Sequence, residues 1–224
     1  MIAMQQTSPN EPTASAPTSS AAAASVGMGT TAESGALQHH EEHEHGDMRL
    51  FGFTVFLISE TMLFLGLFSA LLTYRSVALV WPPAGTPELE KLIPAINTVI
   101  LISSSLVIHQ ASDAIKKNNL KGVRQSFLFT LLMGATFLGG QIWEYAHLSF
   151  GLKSGIFGST FYVLTGFHGL HVFVGLLLMA TVIFRSMKPK HYTAESHFGI
   201  EATSLYWHFV DVVWIFLFLL LYVL

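Results

Sequence analysis

Five long apolar stretches constrain the fold of this chain more than any other feature of its sequence. They cover residues 50–74, 92–111, 127–148, 157–184 and 205–224. An α-helix needs about 20 residues to cross about 30 Å of hydrocarbon, and none of the stretches alternates with the two-residue period of a membrane strand. The sequence therefore predicts an all-α integral membrane bundle of five transmembrane helices.

The composition excludes several other classes of protein. With 51% hydrophobic and 11% charged residues, the chain has too little charge to cover a water-soluble domain of 224 residues. A net charge of -3 provides no basic field for nucleic acid, so no nucleic-acid partner is expected. Because there are 0 cysteines, a redox metal would depend on His and carboxylate ligands, and no closed ligand set occurs. We expect no metal and no cofactor on this chain.

The first 47 residues differ in composition from the rest. Residues 1–38 are rich in Ala, Ser, Thr, Pro and Gly, and residues 39–47 form an acidic, His-rich run. Such a segment cannot bury a core, which predicts a disordered tail at 1–47 before a membrane domain at 48–224. The tail lacks the basic start and apolar run of a signal peptide. Its His run could bind a divalent metal loosely, although a solvated linker is the simpler interpretation.

The distribution of Lys and Arg near the helix ends predicts the orientation in the membrane. One side has eight: Arg49, Lys116, Lys117, Lys121, Arg124, Arg185, Lys188 and Lys190. The other has three: Arg75, Lys91 and Lys153. The positive-inside rule places the richer side, with the N-terminus, in the cytoplasm, and five crossings place Leu224 on the outer or lumenal side.

Glu60 is the ionisable residue that is hardest to reconcile with lipid. It follows Arg49 by 11 residues, which places it roughly 16 Å deep, near the bilayer centre. An ionisable group there costs at least about 2.5 kcal/mol. Two interpretations stay open: Glu60 carries a proton as part of the function, or it is a neutral hydrogen-bond donor that only joins helices.

The third helix has a polar stripe near its outer end. Gln141, Glu144 and His147 recur every three residues, which predicts a shared buried face that packs against another helix. A metal site at Glu144 and His147 is the weaker alternative, because it would need ligands from other helices.

The fourth helix has two histidines among glycines. His168 and His171 lie near Gly166, Gly169 and Gly175, which favours close packing of both imidazoles against another helix or subunit. Haem ligation is the rival interpretation, but two His on one helix do not face each other across a haem.

The fifth helix combines two polar and two aromatic residues. His208 and Asp211 are three apart and can pair on one face, and Trp207 and Trp214 are seven apart and stack on one stripe. An interface anchor with a buried polar pair is the favoured interpretation, and catalysis by these residues is the weaker alternative. First principles lead to a five-helix membrane protein whose buried polar groups suit packing, lipid binding or proton handling.

Several motifs occur in the order known from one protein family. They are Phe-Leu-Ile-Ser-Glu at 56–60, Trp-Pro-Pro-Ala-Gly at 81–85, Gln-Ile-Trp-Glu-Tyr at 141–145, Gly-Ser-Thr-Phe at 158–161, Thr-Gly-Phe-His-Gly-Leu-His-Val at 165–172, His-Phe-Gly-Ile-Glu-Ala at 197–202 and Tyr-Trp-His-Phe-Val-Asp-Val-Val-Trp at 206–214. From about Arg49 to Leu224 the chain closely resembles subunit III of cytochrome c oxidase, a haem-copper oxidase.

The resemblance implies a non-redox role inside a larger enzyme that reduces oxygen to water and pumps protons in aerobic respiration. Subunit I would hold haem a, haem a3 and copper, and subunit II would take electrons from cytochrome c or a similar donor. Subunit III would support stability and proton uptake and bind membrane phospholipids. Glu60 matches the family's membrane carboxylate, linked to proton, lipid or oxygen access, and Arg185 and Lys188 match its basic positions near lipid head groups.

The chain looks like the short, five-helix bacterial form of the family, and its tail and residues 63–94 look most similar to cyanobacterial examples. It implies a bacterial plasma membrane or a thylakoid membrane. Subunit III of a quinol oxidase is one alternative, but that branch usually has Asp in place of Glu60 and lacks the motif at 81–85. A proton-coupled carrier using Glu60 and Glu144 is the alternative from another class, although the sequence shows no internal repeat.

Overall fold

The computed structural model describes residues 29–81, 90–188, 192–194 and 196–224, with side chains from Met48 onward. The chain divides into two units, Met1–His45 and Gly46–Leu224, and the helices and sites below are those of the second. Residues 1–28 of the predicted tail and residues 82–85 of the motif at 81–85 lie outside the described residues, whereas residues 29–47 belong to the first helix. The domain boundary between residues 47 and 48 therefore stays a prediction.

Helices account for all of the regular structure in the described residues. They are α1 (Gly29–Val77), α2 (Leu92–Lys116), α3 (Leu120–His147), α4 (Gly155–Ser186) and α5 (Phe198–Phe218), and α5 continues into a π-helical turn at Leu219–Val223. Five segments of this part of the chain are long and apolar enough to cross a membrane, at 25 to 32 residues each. The prediction of an all-α, five-helix membrane fold is confirmed.

The helices extend beyond the apolar stretches on the side predicted to be cytoplasmic. α2 continues to Lys116, α3 begins at Leu120 and α5 begins at Phe198. Helical hydrogen bonding does not stop where the side chains become polar, so an apolar stretch marks only the part of a helix that lies in hydrocarbon. The turn between α2 and α3 contains Asn118 at a φ of 52°, and the side chain of Asn119 caps α3 by accepting a hydrogen bond from Gly122 N at 3.1 Å.

Four of the helices form a ring in the order α2, α3, α4, α5, and α5 closes it against α2. Trp207 of α5 fills the centre and is 0% exposed. It fits there because Gly134 of α3 and Gly175 of α4 have no side chain to occupy the same space. Its Nε1 donates to Ser104 Oγ of α2 at 2.9 Å. Trp214 is buried as well, so the expectation that these tryptophans anchor the membrane interface was wrong.

Helix α1 lies outside this ring. Within the described residues its backbone makes few close approaches to other helices, and side chains bridge the gap. Three aromatic pairs with ring centroids 6.3 to 6.4 Å apart join it to α5: Phe53–Phe198, Phe64–Phe209 and Phe68–Phe216. Near the opposite end, Arg75 Nη2 donates to the carbonyl oxygen of Leu224 at 2.6 Å. Most of the apolar surface of α1 therefore faces away from the bundle.

Candidate functional site

Glu60 contacts His171 across the gap between α1 and α4. Its Oε2 lies 3.1 Å from His171 Nε2, and the two side chains are 21% and 13% exposed. The sequence singled out both residues, but nothing in it placed them together. The structure thus joins the deepest carboxylate of α1 to an imidazole of the four-helix ring, and we call these two side chains the Glu60–His171 pair.

The hydrogen bonds of the His171 ring define how many protons the pair holds. His171 Nδ1 lies 2.7 Å from the carbonyl oxygen of Phe167, which can only accept, so Nδ1 carries a hydrogen. His171 Nε2 therefore either accepts from a protonated Glu60 or, as an imidazolium, donates to the carboxylate. In both forms one proton lies between the two residues and their net charge is zero. A neutral pair is the form that a low-dielectric environment favours.

The environment of the pair is closed on one side. Phe64 of α1 packs edge-on against the His171 ring, with centroids 4.9 Å apart, and is itself buried. Tyr206 of α5 donates from its hydroxyl to the backbone carbonyl of His171 at 3.2 Å. The partial exposure of Glu60 shows that the other side is open at the surface of the chain. The pair can therefore exchange a proton or contact a lipid chain there.

A second carboxylate, Glu144, is buried near the C-terminal end of α3. Gln141 Nε2 donates to its Oε2 and the Tyr222 hydroxyl to its Oε1, each at 2.9 Å. His147 does not join them, because its exposed ring stacks on Trp143 with centroids 4.0 Å apart. A helix turns about 100° per residue, so positions six apart differ by about 120°. The predicted three-residue face is therefore a two-residue face completed by Tyr222 from the π-helical turn.

The two histidines of α4 face different helices. His168 is 1% exposed, stacks on Trp214 with centroids 5.1 Å apart and meets the edge of Phe137 of α3. His171 faces α1. Of the glycines that suggested close packing, Gly175 adjoins a neighbouring helix closely, whereas a Cβ on Gly166 would meet nothing within 4 Å.

The two polar residues of α5 also separate. His208 Nδ1 lies 2.6 Å from Ser105 Oγ of α2, rather than pairing with Asp211. Asp211 is 4% exposed, and neither carboxylate oxygen has a hydrogen-bond partner among the described residues. The Ser105 hydroxyl of α2 lies near this carboxyl but does not hydrogen-bond to it. The predicted His208–Asp211 pair does not form: His208 bonds to Ser105 of α2, and Asp211 is buried without a hydrogen-bond partner among the described residues.

Basic side chains cluster on the side predicted to be cytoplasmic. Arg185 and Lys188 are exposed at the end of α4, and in the described part of the chain neither forms a salt bridge. Arg185 lies near the buried Tyr192: burial raises the pKa of the Tyr192 phenol, and the Arg185 charge opposes that shift. Free guanidinium and ammonium groups at a helix end suit phosphate binding.

Sequence reasoning missed three residues of these sites, namely Ser105, Tyr206 and Tyr222. Each contributes one hydroxyl whose partner lies far away in the sequence or on another helix, and Ser105 is one of three consecutive serines, so no spacing rule identifies it. The structure shows no group of three or more His, Cys, Asp or Glu side chains that could hold a metal ion among the described residues.

These features define a class: a multi-pass membrane protein whose intramembrane carboxyl groups contact an imidazole, an amide and hydroxyl groups of neighbouring helices. Residues 26–224 match the family described as cytochrome c oxidase subunit III. The chain belongs to this family.

Individual relatives agree with that assignment. The chain is 57% identical over 185 residues to cytochrome c oxidase subunit 3 of Synechocystis sp., covering 83% of this chain and 79% of that protein. It is 53% identical over 198 residues to the Thermostichus vulcanus subunit, covering 88% and 98%. The Loxodonta africana subunit is 40% identical over 194 residues, covering 84% and 74%. The chain is thus a subunit of an oxidase complex, and these matches do not support the quinol-oxidase or carrier alternatives.

Proposed function

We propose that this chain stabilises the oxidase and supports its proton uptake through the Glu60–His171 pair and its basic cytoplasmic surface. The observation that carries the proposal is the contact of 3.1 Å between Glu60 and His171, deep in the membrane part and still partly exposed. A carboxyl–imidazole pair that is neutral and shares one proton can hold or pass a proton without leaving an isolated charge in lipid.

Lipid binding is the second part of the proposal. Arg185 and Lys188 are exposed, lie at the cytoplasmic end of α4 and have no acidic partner among the described residues. A phosphate group would provide a charge-assisted partner worth about 1.5 to 3 kcal/mol. The outward face of α1 offers apolar side chains along which acyl chains can pack, including Phe51, Val55, Ile58 and Met62.

The proposed partners are subunits I and II of the oxidase and membrane phospholipids. Haem a, haem a3 and copper reside on the partner subunits, and cytochrome c or a similar soluble donor acts through subunit II. The relatives from Synechocystis sp. and Thermostichus vulcanus favour a bacterial plasma membrane or a thylakoid membrane. The basic residues of the α2–α3 turn and of the end of α4 support a cytoplasmic N-terminal side and an outer or lumenal end at Leu224.

The substitution Glu60→Gln in the assembled oxidase tests the first part of the proposal. It removes the shared proton but keeps the shape of the side chain. We expect the complex to assemble and reduce oxygen, but to pump protons less efficiently or to lose activity faster over repeated turnovers. Glu201→Gln is a matched control, because Glu201 also pairs with a histidine, at 3.3 Å from His197, but is exposed.

Two results would contradict this part. A Glu60→Gln complex that behaves as Glu201→Gln does in every assay would leave Glu60 with a packing role only. An assembled complex without any oxygen reduction would give this chain a direct catalytic part.

Native mass spectrometry of the complex tests the lipid part. We expect Arg185→Ala combined with Lys188→Ala to lower the occupancy of bound anionic lipid and to weaken retention of the subunit in detergent. Lys153→Ala is the control, because Lys153 is exposed on the opposite side of the membrane. Equal lipid occupancy and equal retention in both variants would refute the assignment.

A further inference from the structure

Asp211 is a buried carboxyl that the proposed function does not use. It lies 13 residues after Phe198 and 12 before Val223, the ends of its membrane-spanning segment, or roughly 18 to 20 Å from each end. Its side chain is 4% exposed, and both oxygens lack a hydrogen-bond partner among the described residues. A buried polar group without a partner in a native structure calls for a physical explanation.

The groups around Asp211 do not offer it a compensating positive charge. Of the polar residues of α2, Ser105 lies near the Asp211 carboxyl and His109 near His208, while His168 of α4 stacks on Trp214. Helix α1 faces α5 with phenylalanines. No salt bridge in the described part of the chain includes Asp211. An ionised carboxylate at this depth would keep the full cost of desolvation, so the carboxyl must hold a proton.

A hydroxyl and an imidazole connect this carboxyl to the edge of the bundle. Ser105 Oγ lies 2.6 Å from His208 Nδ1, and Asp211 follows His208 by three residues on the same side of α5, so the Ser105 hydroxyl lies near both side chains without hydrogen-bonding to Asp211. His208 is partly exposed, and the exposed His109 lies beside it on α2, towards the cytoplasmic end. The order carboxyl, hydroxyl, imidazole therefore runs from a fully buried position to the surface between α2 and α5.

We propose that Asp211 is a second intramembrane proton-binding site, separate from the Glu60–His171 pair, which exchanges its proton with the surface between α2 and α5 through Ser105 and His208. The ligand is a proton rather than a metal ion. The protonated Asp211 rotates to donate to Ser105 Oγ, and the hydroxyl hydrogen of Ser105 passes to His208 Nδ1. One O–H bond breaks on Asp211, one forms and one breaks on Ser105, and an N–H bond forms on His208. His208 then releases the proton from Nε2, and no electron is transferred.

Infrared difference spectroscopy of the assembled oxidase tests the protonation of Asp211. The spectrum of wild type minus Asp211→Asn should contain the carbonyl stretching band of a protonated carboxylic acid, shifted to lower frequency in D2O. Asp113→Asn is the matched control, because Asp113 is exposed near the end of α2 and should lose only carboxylate bands. If the Asp211→Asn difference also shows only carboxylate bands, the proposal is wrong.

Two further variants test the exchange route and remain informative if Asp211→Asn does not assemble. Ser105→Ala should shift the frequency of the carboxylic acid band, because it removes the hydroxyl beside Asp211. His208→Phe should keep the band but slow its shift after transfer to D2O. If the band is unchanged in Ser105→Ala, the protonated carboxyl does not lie beside Ser105. If the exchange rate is unchanged in His208→Phe, the proton does not exchange through His208. Both readouts are independent of the behaviour of Glu60→Gln.

Discussion

The close approach of Gly134 to Trp207 allows a quantitative prediction for the helix ring. A Cβ on Gly134 would lie 2.6 Å from Trp207 Cη2 and 2.9 Å from Leu176 Cδ2, whereas ordinary contacts begin at 3.4 Å. The Trp207 indole cannot easily move away, because it is 0% exposed and its Nε1 donates a hydrogen bond to Ser104 Oγ. Gly134→Ala therefore requires a displacement of about 0.8 Å in a close-packed interior, and overpacking of this kind costs about 1 to 3 kcal/mol.

Thermal release of the subunit from the detergent-solubilised oxidase would measure this cost. We expect Gly134→Ala to lower the midpoint of release. Gly139→Ala, on the same helix, would place its Cβ where nothing lies within 4 Å, so it should be neutral or should stabilise α3 by about 0.5 to 1 kcal/mol.

A rescue experiment connects the effect to the indole. Trp207→Phe removes the ring atoms that collide with the added methyl group, although it also removes the Nε1 donor to Ser104. The double variant with Gly134→Ala should thus be less destabilised than the sum of the two single changes. If Gly134→Ala is as stable as Gly139→Ala, or if the two changes are additive, the packing argument fails.

Three smaller predictions follow from other contacts. Tyr222→Phe leaves Oε1 of the buried Glu144 without its donor, so it should cost about 1 to 3 kcal/mol in the same release assay; the exposed Tyr74→Phe should cost nothing measurable. Asn118→Ala should destabilise the α2–α3 turn by about 1 to 2 kcal/mol because of its positive φ, and Asn118→Gly, which accepts that φ, should be milder; equal losses would refute the backbone argument. The separated subunit without residues 1–47 should contain no stoichiometric haem or copper, and a Soret band that survives purification would contradict this.

The number of helices and the all-α membrane fold could be predicted from the sequence, because each membrane crossing needs about 20 apolar residues. Every spanning segment meets this requirement independently of the others. The ends of α3 and α5 did not follow, since their first residues are helical outside the hydrocarbon. Trp207 looked like an interface anchor because its seven-residue spacing from Trp214 places both residues on one stripe of α5. That spacing carries no information about the helices that face the stripe. Its burial depends on Gly134 and Gly175, which belong to two other helices.

The candidate site was predictable residue by residue but not as an arrangement. Glu60 stood out because a carboxylate in an apolar helix is costly wherever its partner lies. His171 was found only as one of two histidines on α4, and nothing local to the sequence distinguishes the one that faces α1 from the one that faces α3 and α5. Asp211 was assigned to His208 by helix spacing, whereas Ser105 of another helix contacts His208 instead.

The peripheral position of α1 has a consequence for how the protein is made. Helix α1 precedes the other described helices in the chain, but its partners Phe209 and Phe216 lie on α5, and His171 follows Glu60 by 111 residues. At about 5 to 20 residues per second, Glu60 waits roughly 5 to 20 s after translation before its imidazole exists. Throughout that time the Glu60 carboxyl lacks the hydrogen-bond partner that it has in the folded protein. Helix α1 is therefore made before the helices that it packs against, and slower translation before α4 would prolong the time for which Glu60 has no partner.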